Sequence, residues 1–316
     1  MKNLTRLSIL GGLAMLFISL YLWVDIGPYW EYVLPRRGKQ VLAIILTGGS
    51  IAFATVIFQT ITNNRILTPS IIGLDSLYML IQTFIVFVFG SMALTGMNPN
   101  VHFTLSAGLM IVFASLLFRL LLRREGNQIY FLLLVGIVFG TFFSSLSSFM
   151  EMIIDPNEFM IIQDRMFASF NHVNDELMLL SIILLLVISL YFIRFVKYLD
   201  VISLGRDHAL NLGVPYDHVV RRLLFIIVIL ISIATALVGP ITFLGLLVAN
   251  IAYQFLKTYK HSLLIPGAML ISVIALAGGQ LLVTRVFSFT TTISVIINFF
   301  GGVYFIYLLL KENQSW

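Results

Sequence analysis

The sequence predicts an all-α, polytopic membrane protein, and three observations carry that prediction. The chain of 316 residues is 59% hydrophobic and only 10% charged. Its mean hydropathy is +1.02, whereas a soluble domain carries about a quarter of its residues as charges. The apolar runs are long and unbroken, which excludes the short alternating segments of a barrel and leaves helices as the spanning element.

Runs of about 20 apolar residues suffice to cross a bilayer. They fall near 7–25, 41–61, 72–92, 101–122, 129–153, 177–196, 219–238, 242–254, 262–283 and 292–310. The first resembles a signal peptide, but its apolar run from Leu7 to Val24 is too long for one and no small-residue cleavage site follows. It is read as a retained span. The eighth is short and follows Gly239-Pro240, so it is expected to be a broken or partial span. Ten crossings place both termini on one side.

The basic residues assign that side. With the N-terminus inside, 14 of the 19 basic residues face the cytoplasm, and only Arg36, Arg37, Lys39, Arg165 and Arg285 lie outside. This is the asymmetry of the positive-inside rule. It also accounts for the net charge of +5, so no nucleic-acid partner is implied; the partner of the surface is the lipid bilayer.

Between the sixth and seventh spans lies LGRDHALNLGVPYDHVVRR, 204–222. Charges there cannot rest in hydrocarbon, where each Arg or Lys costs about 2.5–3.5 kcal/mol, so the segment is cytoplasmic. The spacing predicts a short helix with Gly205, Ala209 and Leu212 on one face and Gly213 past its end, where a positive φ is often required. The longest external connection, Ile154 to Glu176, contains five acidic residues. It is read as a solvated loop with a short surface helix around Met160–Ser169.

Several chemistries are excluded or lack support. There are no cysteines, hence no disulfides or thiolate chemistry. The five histidines, His102, His172, His208, His218 and His261, have no ligand spacing, and neither metal nor cofactor is assigned. Glu151 and Asp75 lie near span ends, where interfacial solvation accounts for them. No GxxxxGK phosphate loop and no HExxH occur. The chain therefore reads as a non-enzyme whose energy comes from a separate subunit or an ion gradient. A gradient-driven secondary transporter would want charged residues in mid-span, which this chain scarcely offers.

Two breaks mark a transport pathway. Pro69 and Gly73 interrupt one apolar run; Gly239, Pro240 and Gly245 interrupt another. Freed backbone groups there need water or protein partners. Gly48, Gly49, Ser50, Ala52 and Ala54 permit close helix packing. Gln59 and Asn64, at the cytoplasmic end of the second span, are read as interhelical hydrogen-bonders.

Three segments, 37–74, 205–214 and 238–253, together resemble the FecCD-type permease family of ABC importers, which take up iron–siderophores, haem and cobalamin. Gly48, Gly49, Gln59, Asn64, Pro69 and Gly73 fall at the family's spacings. Gly205, Ala209, Leu212 and Gly213 match its coupling pattern. Gly239, Pro240, Ile241, Phe243, Gly245 and Leu246 match GPIGFxGL, and Gly301, Gly302, Phe305, Leu308 and Leu309 match the closing GGxxFxxLL. Departures are Gln40 for the second arginine of RLPR, Thr242 for a glycine, Ala249, Asn250 and Tyr253 for the Pro, His and Arg of PHxxR, and Ser288-Phe289-Thr290-Thr291 where the family has ELP.

The resemblance implies a type II importer permease fold, with 1–316 as one transmembrane domain and 204–216 as its cytoplasmic coupling segment. It implies two copies of an ATP-binding subunit contacting Gly205, Arg206, Ala209, Leu212 and Gly213. It also implies an extracytoplasmic substrate-binding protein docked at Arg37 and Arg285, and a second permease; the departures point to a heterodimer. The substrate class is a ferric siderophore, with haem or cobalamin as the alternative. The run ILTPSIIGLDSLYMLIQT looks most like the branch serving catecholate siderophores of the petrobactin kind.

Overall fold

A computed structural model describes residues 2–121, 128–171, 173–287 and 291–312. Arg123, Arg124, His172 and the 288–290 stretch lie outside the described residues. Among the described residues the regular structure is helical throughout, with turns between the helices. Seven helices are long and apolar enough to cross a membrane, and three shorter apolar helices, Leu74–Phe89, Leu244–Leu256 and Ile293–Leu308, complete the set. These ten segments correspond one to one with the ten predicted spans.

In chain order the elements are α1 (Lys2–Trp23), α2 (Trp30–Thr62), a 3₁₀ turn (Pro69–Ile72), α3 (Leu74–Phe89) and α4 (Ser91–Gly96). Then come α5 (Pro99–Leu121), α6 (Gln128–Glu151), α7 (Pro156–Arg165), α8 (Asp175–Phe192) and α9 (Val196–Ile202). The chain closes with α10 (Arg206–Asn211), α11 (Tyr216–Val238), α12 (Leu244–Leu256), α13 (His261–Arg285) and α14 (Ile293–Glu312).

The bundle is built around α2 and α11, whose apolar windows are 83% and 78% buried, against 17% for α1. Small residues allow this. A methyl group added to Gly48 would sit 2.7 Å from Leu276 Cδ1 and 3.0 Å from Ser272 Oγ, so the α2 backbone lies directly on α13. Phe53 of α2 meets Phe192 of α8 edge to face at 4.6 Å. α2 is longer than predicted at 33 residues, about 50 Å at 1.5 Å per residue. Its first turns precede the apolar run predicted from 41 and include Pro35.

The surface helix of the external loop begins earlier than expected. Asp155 caps it by accepting a hydrogen bond from Asn157 N at 2.8 Å, and Pro156 follows at the first position. This cap sets the start of the helix at 156, and the helix ends at Arg165.

Side-chain contacts sort the connections into two ends, as alternating crossings require. At one end Lys39 pairs with Asp175 at 2.7 Å, Arg285 with Asp25, and Gln40 with Asn171. At the other, Arg6 reaches Leu256 O, Asn250 reaches Arg65 O, and His261 reaches Asp200. The latter end holds the excess of basic residues and is the cytoplasmic one.

Candidate functional site

The two predicted breaks lie at opposite ends of the bundle, each just before a short apolar helix. Pro69 opens the 3₁₀ turn, and Gly73 ends it at φ +86° before α3. A methyl group at Gly73 would lie 2.9 Å from Gly140 N, 3.0 Å from Gly140 Cα and 3.1 Å from Gly136 O. Backbone therefore meets backbone, with Gly136 and Gly140 of α6 supplying the flat surface. That pair escaped the sequence reading, although its signal, two glycines four apart within an apolar run, was present.

The second break, Gly239 (φ +100°) and Pro240, falls at the external end between α11 and α12. The loop after α7 seals it. Ser169 N donates to Val238 O at 2.8 Å, and Ala168 N donates to Ser294 Oγ at 2.8 Å. A methyl group at Gly245 would overlap Thr55 Oγ1 at 2.1 Å, and one at Gly301 would overlap Phe243 Cβ at 2.5 Å. These family-type glycines bring α12 against α2 and α14.

Gln59 and Asn64 organise the cytoplasmic turn after α2. Asn64 Oδ1 accepts from Ile66 N at 2.8 Å, a local turn closure. Gln59 Nε2 donates to Arg65 O at 2.7 Å, and Asn250 Nδ2 donates to the same oxygen at 2.9 Å. The Arg65 guanidinium lies 4.6 Å over the Tyr253 ring. Asn250 and Tyr253, two of the departures from the family pattern, thus hold the 63–68 turn from α12. A cavity of about 560 Å³ opens beside them, lined among others by Thr60, Arg65, Ser203, Leu204, Lys257 and His261.

At the external end Arg37 and Arg285 converge on the turn after α1. Arg37 Nη1 donates to the carbonyls of Tyr21, Leu22 and Val24 at 2.9–3.1 Å, satisfying the open end of α1. Arg285 pairs with Asp25. Gln40 is buried; its Oε1 accepts from the Tyr21 hydroxyl and its Nε2 donates to Asn171 Oδ1 at 2.8 Å. These side chains border a cavity of about 520 Å³ that also includes Tyr32 and Arg36.

The cytoplasmic segment closes as its glycines predict. Gly205 (φ +98°) precedes α10 and Gly213 (φ +80°) follows it. Gly213 N bonds Leu210 O at 2.9 Å, and Val214 N bonds Ala209 O at 3.0 Å, the two bonds of a Schellman end. One expectation is corrected. Ala209 is 0% exposed whereas Leu212 is 64% exposed, so the two do not share a face. α10 ends at Asn211, and the closing turn swings Leu212 outward. The apolar surface offered to water is instead Leu204, Leu210 and Leu212, flanked by Arg206, which lies 3.9 Å from Asp217.

A further feature lies on α6. Thr141, Ser144, Ser145 and Ser148 are exposed along one helix face within a candidate membrane span. Ser144 Oγ donates to Ser76 Oγ at 3.1 Å, beside the Gly73 break. The spacing of four hydroxyls over two turns is present in the sequence. Thr141 Oγ1 donates back to Ile137 O at 2.9 Å, so part of this hydroxyl face is satisfied by its own helix.

Comparison with known proteins follows the same lines. The chain is 61% identical to the petrobactin import system permease protein YclO of Bacillus subtilis (strain 168), over 100% of both chains. It is 36% identical to the petrobactin import system permease protein FatC of Bacillus anthracis, over 98% of this chain and 88% of that one. The fold superposes on a metal-chelate type ABC transporter solved in an inward-facing conformation, with a TM-score of 0.84 and 21% identity over 98% of this chain and 99% of that one. The profile of the FecCD transport family matches residues 9–311, and the chain belongs to that family.

Proposed function

We propose that this chain is the permease subunit of an ABC importer that carries a ferric siderophore of the petrobactin kind across the cell membrane into the cytoplasm. The observation that carries the reading is the end-to-end 61% identity with a petrobactin import permease. Residues 1–316 act as one transmembrane domain, and ATP is hydrolysed by separate subunits, two per importer.

The segment 204–216 is the coupling element. Gly205 and Gly213 shape α10, buried Ala209 seats it on its own protein, and Leu204, Leu210 and Leu212 present an apolar surface to the ATP-binding subunit. Arg206 remains at the rim. Outside, Arg37 and Arg285 lend positive potential to the face that receives the binding protein. The pathway runs along the hydroxyl face of α6, between this chain and a second permease. The breaks at Pro69–Gly73 and Gly239-Pro240 let the short helices move, with Gln59, Asn64 and Gly245 fixing their ends. Gln40, Asn250 and Tyr253 serve internal contacts here, which favours a second permease of different sequence.

The test is uptake of radiolabelled ferric petrobactin by a strain lacking this chain. Restoring the chain should restore uptake, and ferric hydroxamate, haem and cobalamin should not substitute. Equal uptake with and without the chain overturns the reading.

A further inference from the structure

The route by which α10 is tied to the rest of the bundle is narrow. α10 packs only on α9 and α11 among the described elements with more than marginal contact, while α9 packs on α2 and α13. Leu199 and Ile202 anchor α9 and are 0% and 1% exposed. Apolar contacts of that kind permit sliding, because they have no directional preference. The polar contact beside them does not.

His261, the first residue of α13, is 2% exposed. Its Nδ1 donates to Asp200 Oδ1 of α9 at 2.6 Å, and its backbone N donates to the same oxygen at 2.9 Å. Its Nε2 lies 2.7 Å from Thr60 Oγ1 of α2. An ionised carboxylate only accepts, so the ring proton sits on Nδ1. In the neutral ring Nε2 then accepts the Thr60 hydroxyl proton. Thr60 has a single hydroxyl proton, so donating it to Nε2 forgoes the alternative bond to Val56 O, 2.8 Å away; the link to α2 is the Thr60 side chain itself. Ser203 Oγ donates to Asp200 O at 2.8 Å, joining the far end of α9 to the residue before the 204–216 segment.

We propose that Asp200–His261–Thr60 is the strut that transmits displacement of the coupling segment to α2 and α13, with His261 as its central positioning residue. The inference rests on the coupling role proposed for 204–216. Two directional bonds to one carboxylate oxygen fix both the distance and the angle between α9 and α13. The third bond extends this constraint to α2, whose Gly48 surface lies directly on α13. A push on α10 therefore reaches the central helices as a unit motion. Without the strut, α9 slips over them and ATP is hydrolysed without equivalent transport.

The test uses the complete importer reconstituted in proteoliposomes with its binding protein and ferric petrobactin, reading uptake and ATP hydrolysis in the same preparation. Asp200→Ala should retain the ATP-binding subunits and hydrolyse ATP, while uptake per ATP falls about tenfold, the order of ordinary intersite couplings. Asp200→Asn keeps an acceptor oxygen and should recover most of the ratio. Thr60→Val conserves volume, keeps the helix and should lower the ratio even where Asp200→Ala assembles poorly. The double variant should be no worse than the weaker single one, because both cut one chain of bonds. An unchanged ratio in Thr60→Val and Asp200→Ala, or effects that multiply in the double variant, overturns the strut. Absence of siderophore uptake by the unsubstituted complex would instead count against the functional reading on which it rests.

Discussion

Replacing Gly73 by alanine tests the idea that the first break is held by backbone-to-backbone packing. Two costs add. At φ +86° a side chain is disfavoured by about 1–2 kcal/mol. The new methyl group would also lie 2.9–3.1 Å from three backbone atoms of Gly136 and Gly140. Backbone cannot rotate away as a side chain can, so overpacking adds about 1–3 kcal/mol. The expected loss is about 2–5 kcal/mol, measured by SDS titration of the protein in mixed micelles. Gly136→Ala meets Ile71 O at 2.8 Å and Ile72 Cα at 2.9 Å without a positive φ, so it should cost less. Gly140→Ala, at 3.3 Å from Gly73 Cα, should cost least of the three. Gly108, in α5 with open space around its missing methyl, is the control; alanine there should stabilise by up to about 1 kcal/mol. If Gly73→Ala stays within about 0.5 kcal/mol of the parent, or Gly140→Ala proves the worst, the packing account fails.

Three further outcomes are expected. Leu212→Glu should weaken co-purification of the ATP-binding subunits by about tenfold or more, the loss of one buried leucine's transfer energy, while expression and membrane insertion stay normal; wild-type recovery would remove Leu212 from the interface. Arg37→Glu and Arg36→Glu should both slow capture of the loaded binding protein at low salt and have little effect at high salt, as rim charges do, whereas only Arg37→Glu should also lower stability, because it leaves the α1 carbonyls open. On-rates indifferent to both substitutions would discard the electrostatic role. Tagged chain co-expressed with the other importer genes should pull down a second, different permease; a transport-competent complex containing this chain alone would refute the heterodimer.

The ten apolar helices and the cap at Gly213 were legible because each follows from a rule local in sequence: apolar length, or a glycine at a helix end. Boundaries set by a single cap were less so, as the Asp155-Pro156 start of α7 demonstrates. What the residues alone did not reveal is which side of a short helix faces its own protein. Ala209 and Leu212 have helical spacing, yet the helix stops between them. Nor did the pattern show that Gln40, Asn250 and Tyr253 bond inward, or that His261 joins three helices. Those contacts link residues up to 201 positions apart, and no local periodicity encodes them.

The clamps on α1 bear on how the protein is made. α1 leaves the ribosome before α2 to α14, yet it has little buried surface of its own. At the cytoplasmic side Arg6 hydrogen-bonds the carbonyl of Leu256, 250 residues later. At the outer side Arg37 arrives soon after, but the partner of Asp25 is Arg285, 260 residues downstream. During translation α1 can therefore be tethered by α2 alone and must wait in the lipid for α12 and α13 to be inserted before both ends are fastened. A chain halted before α12 and α13 have left the ribosome and inserted would leave α1 exposed to membrane proteases, and one in which both have inserted would not.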